Sequence, residues 1–459
     1  VEFTKEDIWL KIEPGYWPQA KVLSRKVIIR HMENPPVVES TDSTIPKPIG
    51  RRPLIACIVV IGLAFLIFPL VYQNIPNPDD VDLYYLYGQY TLDGKLPYRD
   101  FSIEYPPFVL PFFIAPAIVS NIFGPPTQER YVIFFQLEMY LLLIATLIVV
   151  VRFGQKLYPQ LSLLVGVRYF TVAAVVFTFF ISRRFDIVAA LLVTLVFYLF
   201  YLKRQIWGGF VLGLATLTKL FPAIILPIAL MYYWKIRKQL FPAEKIILGF
   251  IVSAFIITVP FLLFAQAGLK GFLTYHSERG IQIESVYGIV IWLGSVAGLT
   301  TASSTSDHNS INLASSWGAP LSAVALPLTV LGLLAFYAYI WFKTREDKNL
   351  SLTWLIQASV IATLWFILSN KVLSPQYLIW LLPFLTFWRG ARVWLYIGAC
   401  ALSFIIFPVM GAAMVRVEWY AMLTITVRYL LVVGIFGLEI RDFLQRDSPS
   451  NIQTNPIKN

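Results

Sequence analysis

Six carboxylates gather in one short stretch, NPDDVDLYYLYGQYTLDGKLPYRDFSIEYPPF, residues 77–108. They are Asp79, Asp80, Asp82, Asp93, Asp100 and Glu104, set against Lys95 and Arg99. Aromatics interleave with them at Tyr84, Tyr85, Tyr87, Tyr90, Tyr98, Phe101 and Tyr105. The stretch follows the first long apolar run. A loop of this composition can lie on a membrane surface and present carboxylates to something polar there. A carboxylate held in that way is suited to take a proton from a hydroxyl.

Four later connections carry the complementary charge: SRRFDI at 182–187, TKLFP at 218–222, YHSERGIQIES at 275–285 and NKVLSPQY at 370–377. They offer Arg183, Arg184, Lys219, His276, Arg279 and Lys371. Counting basic residues across the short connections puts all four on the same outer side as the acidic loop, where basic residues are disfavoured. A lipid-linked phosphate at that surface would account for them, because Arg and Lys bind phosphate oxygens through charge-assisted hydrogen bonds.

The elements that must position these groups are apolar helices. Of 459 residues, 58% are hydrophobic and 14% charged, and many runs approach the ~18 apolar residues that suggest a membrane helix. The chain reads as an all-α polytopic membrane protein. The net charge of +11 sits mostly in short connections where it sets topology, so it does not argue for nucleic acid. Cys57 and Cys400 both lie inside apolar runs and suggest neither a disulfide framework nor a metal site. The first 50 residues are polar and the first apolar run is long enough to span, so no cleaved signal is expected. The expected organisation is a cytosolic arm at 1–52, a membrane domain at 53–440 with its first outer loop at 74–107, and a cytosolic tail at 441–459.

Within the loop, Pro78 to Asp80 open a short helix and Asp93-Gly94 close it. Spans are expected near 53–73, 131–151, 162–182, 186–202, 246–267, 319–342, 351–369, 376–388, 393–411 and 419–440. Residues 206–234 are too long for one simple helix and read as two short helices meeting at Thr218-Lys219. The topology closes with about 12 spans if 108–122 and 286–298 do not cross fully. Between 298 and 318 the Ser/Thr/Asn-rich sequence reads as a loop.

DLYYLYGQYTLDGKLPYRDFSIEYPP, RRFDIVAALL, TKLFPAIILP, YHSERGIQIES and NKVLSPQYLIWLLP, in this order, resemble the GT-C superfamily of membrane glycosyltransferases. Among these, the chain is most similar to glycosyltransferase family 87, the polyprenol-phosphate-mannose-dependent mannosyltransferases. The resemblance spans roughly residues 53–440. It implies a GT-C-type helical bundle with a loop helix on the outer face after the first span. It also implies transfer of a hexose from a polyprenyl-phosphate donor to a lipid or glycan hydroxyl, with inversion, at the outer face of the plasma membrane and without a metal cofactor. The family's general base is an Asp in the first outer loop, in a D-L-x-x-Y context that falls on Asp82, with Asp79 and Asp80 as close rivals. The substrate-binding residues expected from the charged and hydrogen-bonding groups of the outer-facing stretches are Asp80, Glu104, Arg183, Lys219, His276, Arg279, Glu284, Lys371 and Gln376.

Plainer readings stand beside these. Asp79 and Asp80 suit helix caps, and Asp82 suits a first helical turn. Glu104 is either a loop acceptor or a carboxylate that orients the acceptor. Asp186 is expected to pair with Arg183 or Arg184. Lys219 either snorkels or contacts phosphate. His276 is either structural or a phosphate or sugar ligand. Lys371 and Gln376 either cap helices or line a cavity, and Trp380 reads as a belt or core residue. A transporter or flippase of lipid-linked sugars is the main functional rival. It would be expected to carry inverted repeats and ionisable groups near the midplane. A non-catalytic scaffold is a second rival.

Overall fold

The computed structural model describes residues 49–72, 80–159, 161–236, 238–343 and 350–446. The N-terminal arm through 48, Asp79 and the tail beyond 446 lie outside the described residues. Everything described belongs to the unit Pro46–Asn459, and it is helical apart from one hairpin. Among the described residues, seven helices are long and apolar enough to cross a membrane: Arg51–Leu70, Gln128–Leu157, Leu240–Phe264, Gly318–Phe342, Leu352–Ser369, Ala391–Val409 and Trp419–Gln445. Seven shorter apolar helices of 10–17 residues fill the bundle between them. The protein is an all-α polytopic membrane protein.

The shorter helices are where backbone breaks fall. Leu110–Ile122 has 13 residues and Val286–Val296 has 11, against the ~20 that a full crossing takes. Residues 206–234 divide as their sequence suggests. Helix Gln205–Thr216 stops, and a new helical segment starts at Phe221 with Pro222 in its first turn. Lys219 stands in the gap.

The most extensive helix–helix packing in the described chain joins Gln205–Thr216 to Leu240–Phe264. Small residues four apart on both helices let the backbones meet. A Cβ added at Gly209 would lie 2.1 Å from the carbonyl oxygen of Ile246, and one at Gly249 would lie 2.0 Å from that of Ile206. At Gly213 it would fall 1.9 Å from Ser253 Oγ. The two helices therefore have no room to slide, and the end of the first fixes where Lys219 sits.

The region 298–318 is more ordered than its composition suggests. Strands Ser303–Asp307 and Ser310–Ala314 form an antiparallel hairpin. Its two-residue turn holds His308 and Asn309 in the left-handed region, both at φ 51°, the geometry that matches strand twist in a tight hairpin. Residues 281–283 add a third antiparallel edge, with Leu313 N donating to Ile281 O at 2.9 Å and Ile283 N to Ile311 O at 3.0 Å. Alternation then makes the small sheet two-faced. Ile281, Ile283 and Leu313 are buried in a second apolar cluster with Ile406, Met414, Met422 and Ile425, whereas Gln282 and Asn312, paired across the strands, point the other way.

Replacing Gly249 by Leu should overpack the close helix pair and cost about 1–3 kcal/mol. The expected result is a lower unfolding midpoint in detergent, followed by intrinsic fluorescence. An unchanged midpoint would mean that the two backbones can part without loss.

Candidate functional site

A cavity of about 1510 Å³ lies where the acidic loop meets the later connections. Its polar wall includes Asp80, Glu104, Arg184, Lys219, Tyr275, Arg279, Gln282, Lys371 and Gln376. Residues from all five stretches singled out in the sequence therefore border one space.

The loop helix Asp80–Leu92 is pinned by its tyrosines. Tyr84 is buried and stacks on Phe113 at 4.4 Å. Gly88 sits so close to the helix Leu110–Ile122 that a Cβ there would lie 2.6 Å from Phe113 O. This seating fixes which carboxylate looks inward. Two residues along a helix turn the side chain by about 200°, so Asp80 and Asp82 cannot share a face. Asp80 borders the cavity and pairs with Arg184 at 3.3 Å. Asp82 is exposed, does not border the cavity, and accepts a hydrogen bond from Gln128 Nε2. The structure thus puts the residue expected to be the base outside the cavity lining, and Asp80 in it beside Arg184.

The two arginines divide in the same way. Helix Thr178–Arg183 ends and the chain extends at Arg184, with φ −135° and ψ 136°. Arg184 is buried against the cavity. Arg183 lies over the rings of Phe68 and Phe179, 5.7 and 5.3 Å from their centroids, and does not line the cavity. Of the two arginines, Arg184 and not Arg183 borders the cavity.

Asp186 begins helix Asp186–Tyr201 and is fully buried. Its partner is Lys219 at 3.0 Å, not Arg183 or Arg184 as the sequence suggested, because the break at 217–220 brings the lysine to it. Trp380 Nε1 donates to the same carboxylate at 2.7 Å. Lys219 Nζ also lies within 6 Å of the ring centres of Phe185, Tyr105, Tyr377 and Trp380, the nearest being Phe185 at 4.8 Å. The returning arm is tied to the same break, since Phe108 N donates to Leu217 O at 3.0 Å.

Also on the cavity wall, Lys371 Nζ donates to Ser277 O at 2.9 Å and to Ser322 Oγ at 3.3 Å. Arg279 Nε donates to Ser310 Oγ at 3.4 Å. These partners are neutral, and burial together with the Arg279 charge lowers the Lys371 pKa. Tyr275 and Glu104 share a side-chain hydrogen bond, and burial next to that carboxylate raises the tyrosine pKa. Gln376 lines the cavity. His276 lies on helix Gln266–Glu278, with its side chain outside the described ones.

Glu284 borders the cavity but is engaged elsewhere. It is 1% exposed and pairs with Arg428, whose guanidinium also reaches the Glu284 carbonyl at 3.3 Å. Burial holds the Glu284 pKa above the ordinary carboxylate range, while Arg428 pulls it down. Among the described residues, no three His, Cys, Asp or Glu side chains group as a metal site would require.

Sequence reasoning missed the contacts of Trp380 with Asp186 and of Arg428 with Glu284, and the place of Gln282 on the cavity wall. Arg428 carried a usable signal, a lone arginine inside an apolar span. Trp380 carried none that separates it from an ordinary core tryptophan.

A helical membrane bundle with a charged cavity among its helix ends is the class that fold and site define. The sequence pattern of glycosyltransferase family 87 matches residues 103–369, more than half of the 459. The chain belongs to this family and is a membrane-embedded glycosyltransferase. The match takes in Glu104, Arg184, Asp186, Lys219, Arg279 and Gln282 and begins after Asp80. Among curated proteins, none matches the chain.

Arg428→Met should strand a buried carboxylate and cost about 3–5 kcal/mol. Adding Glu284→Gln should recover part of that loss, because the unpaired charge is then gone. Chemical unfolding of the single and double variants checks this; equal stability of the two would rule out a charge-pair origin.

Proposed function

We propose that this glycosyltransferase moves a hexose, mannose by the resemblance, from a polyprenyl-phosphate donor to an acceptor hydroxyl, with Asp80 as general base. The observation that carries the reading is that one cavity is bordered both by the Asp80 carboxylate and by two cations whose described hydrogen bonds go to neutral groups. Two neighbouring cations without a carboxylate between them favour an anion, and a phosphate oxygen accepts from both. Arg279 and Lys371 would hold that phosphate.

A lipid tail has a place beside them. Ala319, Ser322, Ala323 and Leu326 line the cavity from one face of the helix Gly318–Lys343. Leu326 is also 71% exposed. An apolar stripe on this helix thus runs along the cavity from the lysine contact on Ser322, a path suited to a lipid tail.

In the reaction, the acceptor oxygen attacks the sugar C1 from the face opposite the phosphate. The bond from C1 to the acceptor oxygen forms as the bond from C1 to the phosphate oxygen breaks, which inverts the centre. The acceptor proton passes to the Asp80 carboxylate. Polyprenyl phosphate leaves with one more negative charge than it had in the donor, and fixed cations stabilise that charge as it grows. By the positive-inside argument the cavity faces the outer side of the plasma membrane. The ionisable groups of the cavity lie at helix ends or in connections between helices, which favours an interfacial enzyme over a transporter.

Asp80→Asn should lower transfer by about 10²–10⁴-fold, whereas Asp82→Asn should stay within a few-fold of the parent. Arg279→Gln with Lys371→Gln should raise the donor KM. The assay is transfer of labelled mannose from polyprenyl-phosphate mannose to a panel of lipid acceptors. Full activity of Asp80→Asn would remove that residue from the mechanism.

A further inference from the structure

On the polar face of the three-stranded patch, Ser310 holds Arg279; the rest of that face has no part in the reaction described so far. Gln282 and Asn312 lie side by side across two of its strands, and Thr305 continues the row as the register partner of Asn312. Asn312 is internally satisfied: its Oδ1 accepts from Ser310 Oγ at 2.8 Å, and its Nδ2 donates to Asp307 O at 3.2 Å. Gln282 is not. It is 6% exposed and lines the cavity. Its Nε2 donates to Glu284 at 3.5 Å, but its Oε1 has no hydrogen-bond partner among the described residues. A buried oxygen left in that state costs about as much as a lost hydrogen bond. An anionic phosphate would repel it, so the group it suits is a hydroxyl.

The neighbouring surface has the character of a sugar site. Tyr275 and His308 meet edge to face with ring centres 4.6 Å apart, and Tyr275 is tied to Glu104 on the acidic wall. Thr305, Ser306 and Asn309 line the cavity and are also exposed. This side therefore opens to water, whereas the Leu326 side is apolar. We propose that the hairpin's polar face is the acceptor subsite and that it takes a carbohydrate headgroup, with Gln282 Oε1 accepting a bond from one of its hydroxyls. This rests on the glycosyl-transfer reading above, and it adds where the acceptor's sugar is recognised: on the hairpin face at Gln282.

The probes are octyl α-mannoside and octyl α-glucoside below micellar concentration, with octanol as the control for the chain. The full protein in nanodiscs is tested as parent, Gln282→Leu and Thr305→Val, with thermal unfolding to confirm that each variant folds. Saturation-transfer NMR without donor should show contacts to sugar-ring protons in the parent and their loss in the variants. In the transfer assay, acceptor KM should rise about tenfold in Gln282→Leu, as expected when a buried polar partner is lost, while donor KM stays within about twofold. Ring contacts unchanged in both folded variants, or a rise confined to donor KM, overturns the subsite. Hairpin-dependent ring contacts without transfer from polyprenyl-phosphate mannose would support the subsite and count against the donor reading.

Discussion

The buried pair of Lys219 and Asp186 is the interaction on which the cavity depends. It joins three places that the sequence keeps far apart: the start of the helix at Asp186, the helix break at 217–220, and the segment carrying Trp380. Removing two charges from water costs several kcal/mol each, and a bond of this kind is kept only where geometry repays it. Here the lysine has both carboxylate oxygens within 3.2 Å and a surround of four rings. An aromatic cage of this sort adds attraction for the cation. The pair also explains why the break in 206–234 is not a defect. A continuous helix would carry Lys219 into apolar surroundings, away from Asp186.

The rest of the cavity is built outward from that anchor. Glycine-lined contact between Gln205–Thr216 and Leu240–Phe264 fixes the approach to the break, and the Phe108–Leu217 hydrogen bond ties the acidic arm to it. The arm in turn rests on helix Gln266–Glu278 at Gly268, where a Cβ would meet Tyr98 O at 1.6 Å. Both walls thus hang from backbone contacts that admit no side chain. Catalysis by positioning needs such stiffness, since reacting groups must be held within fractions of an ångström.

Much of this was legible in the sequence, and the failures share one cause. Apolar runs gave the helices, and the five charged stretches meet at one cavity. What one-dimensional reading left open was phase. Asp80 and Asp82 are two apart on a helix, and Arg183 and Arg184 straddle a helix end. In both cases adjacent residues of the same type face different surroundings, and only the packing of Tyr84 and the extended backbone at Arg184 select between them. The hairpin was missed because its strand Ser310–Ala314 has five residues, too few for a period of two to stand out among serines and threonines. Glu284 was placed with the substrate ligands because its partner lies 144 residues away, beyond the reach of any local pattern.

The charge balance of the two walls follows from the same geometry. Arg184 and Lys219 each have a carboxylate within 3.3 Å, so their charges are largely spent on holding Asp80 and Asp186 in place. Arg279 and Lys371 have hydroxyl and carbonyl partners instead. Four cations that look alike in the sequence therefore divide into two that orient carboxylates and two whose field still reaches into the cavity. In the proposed reaction this division matters, because a phosphate drawn equally to all four would approach the base and be repelled by it. Because the two cations without a carboxylate partner are not the ones that hold Asp80 and Asp186, a phosphate is drawn to Arg279 and Lys371 and the neutral sugar is left to face the base.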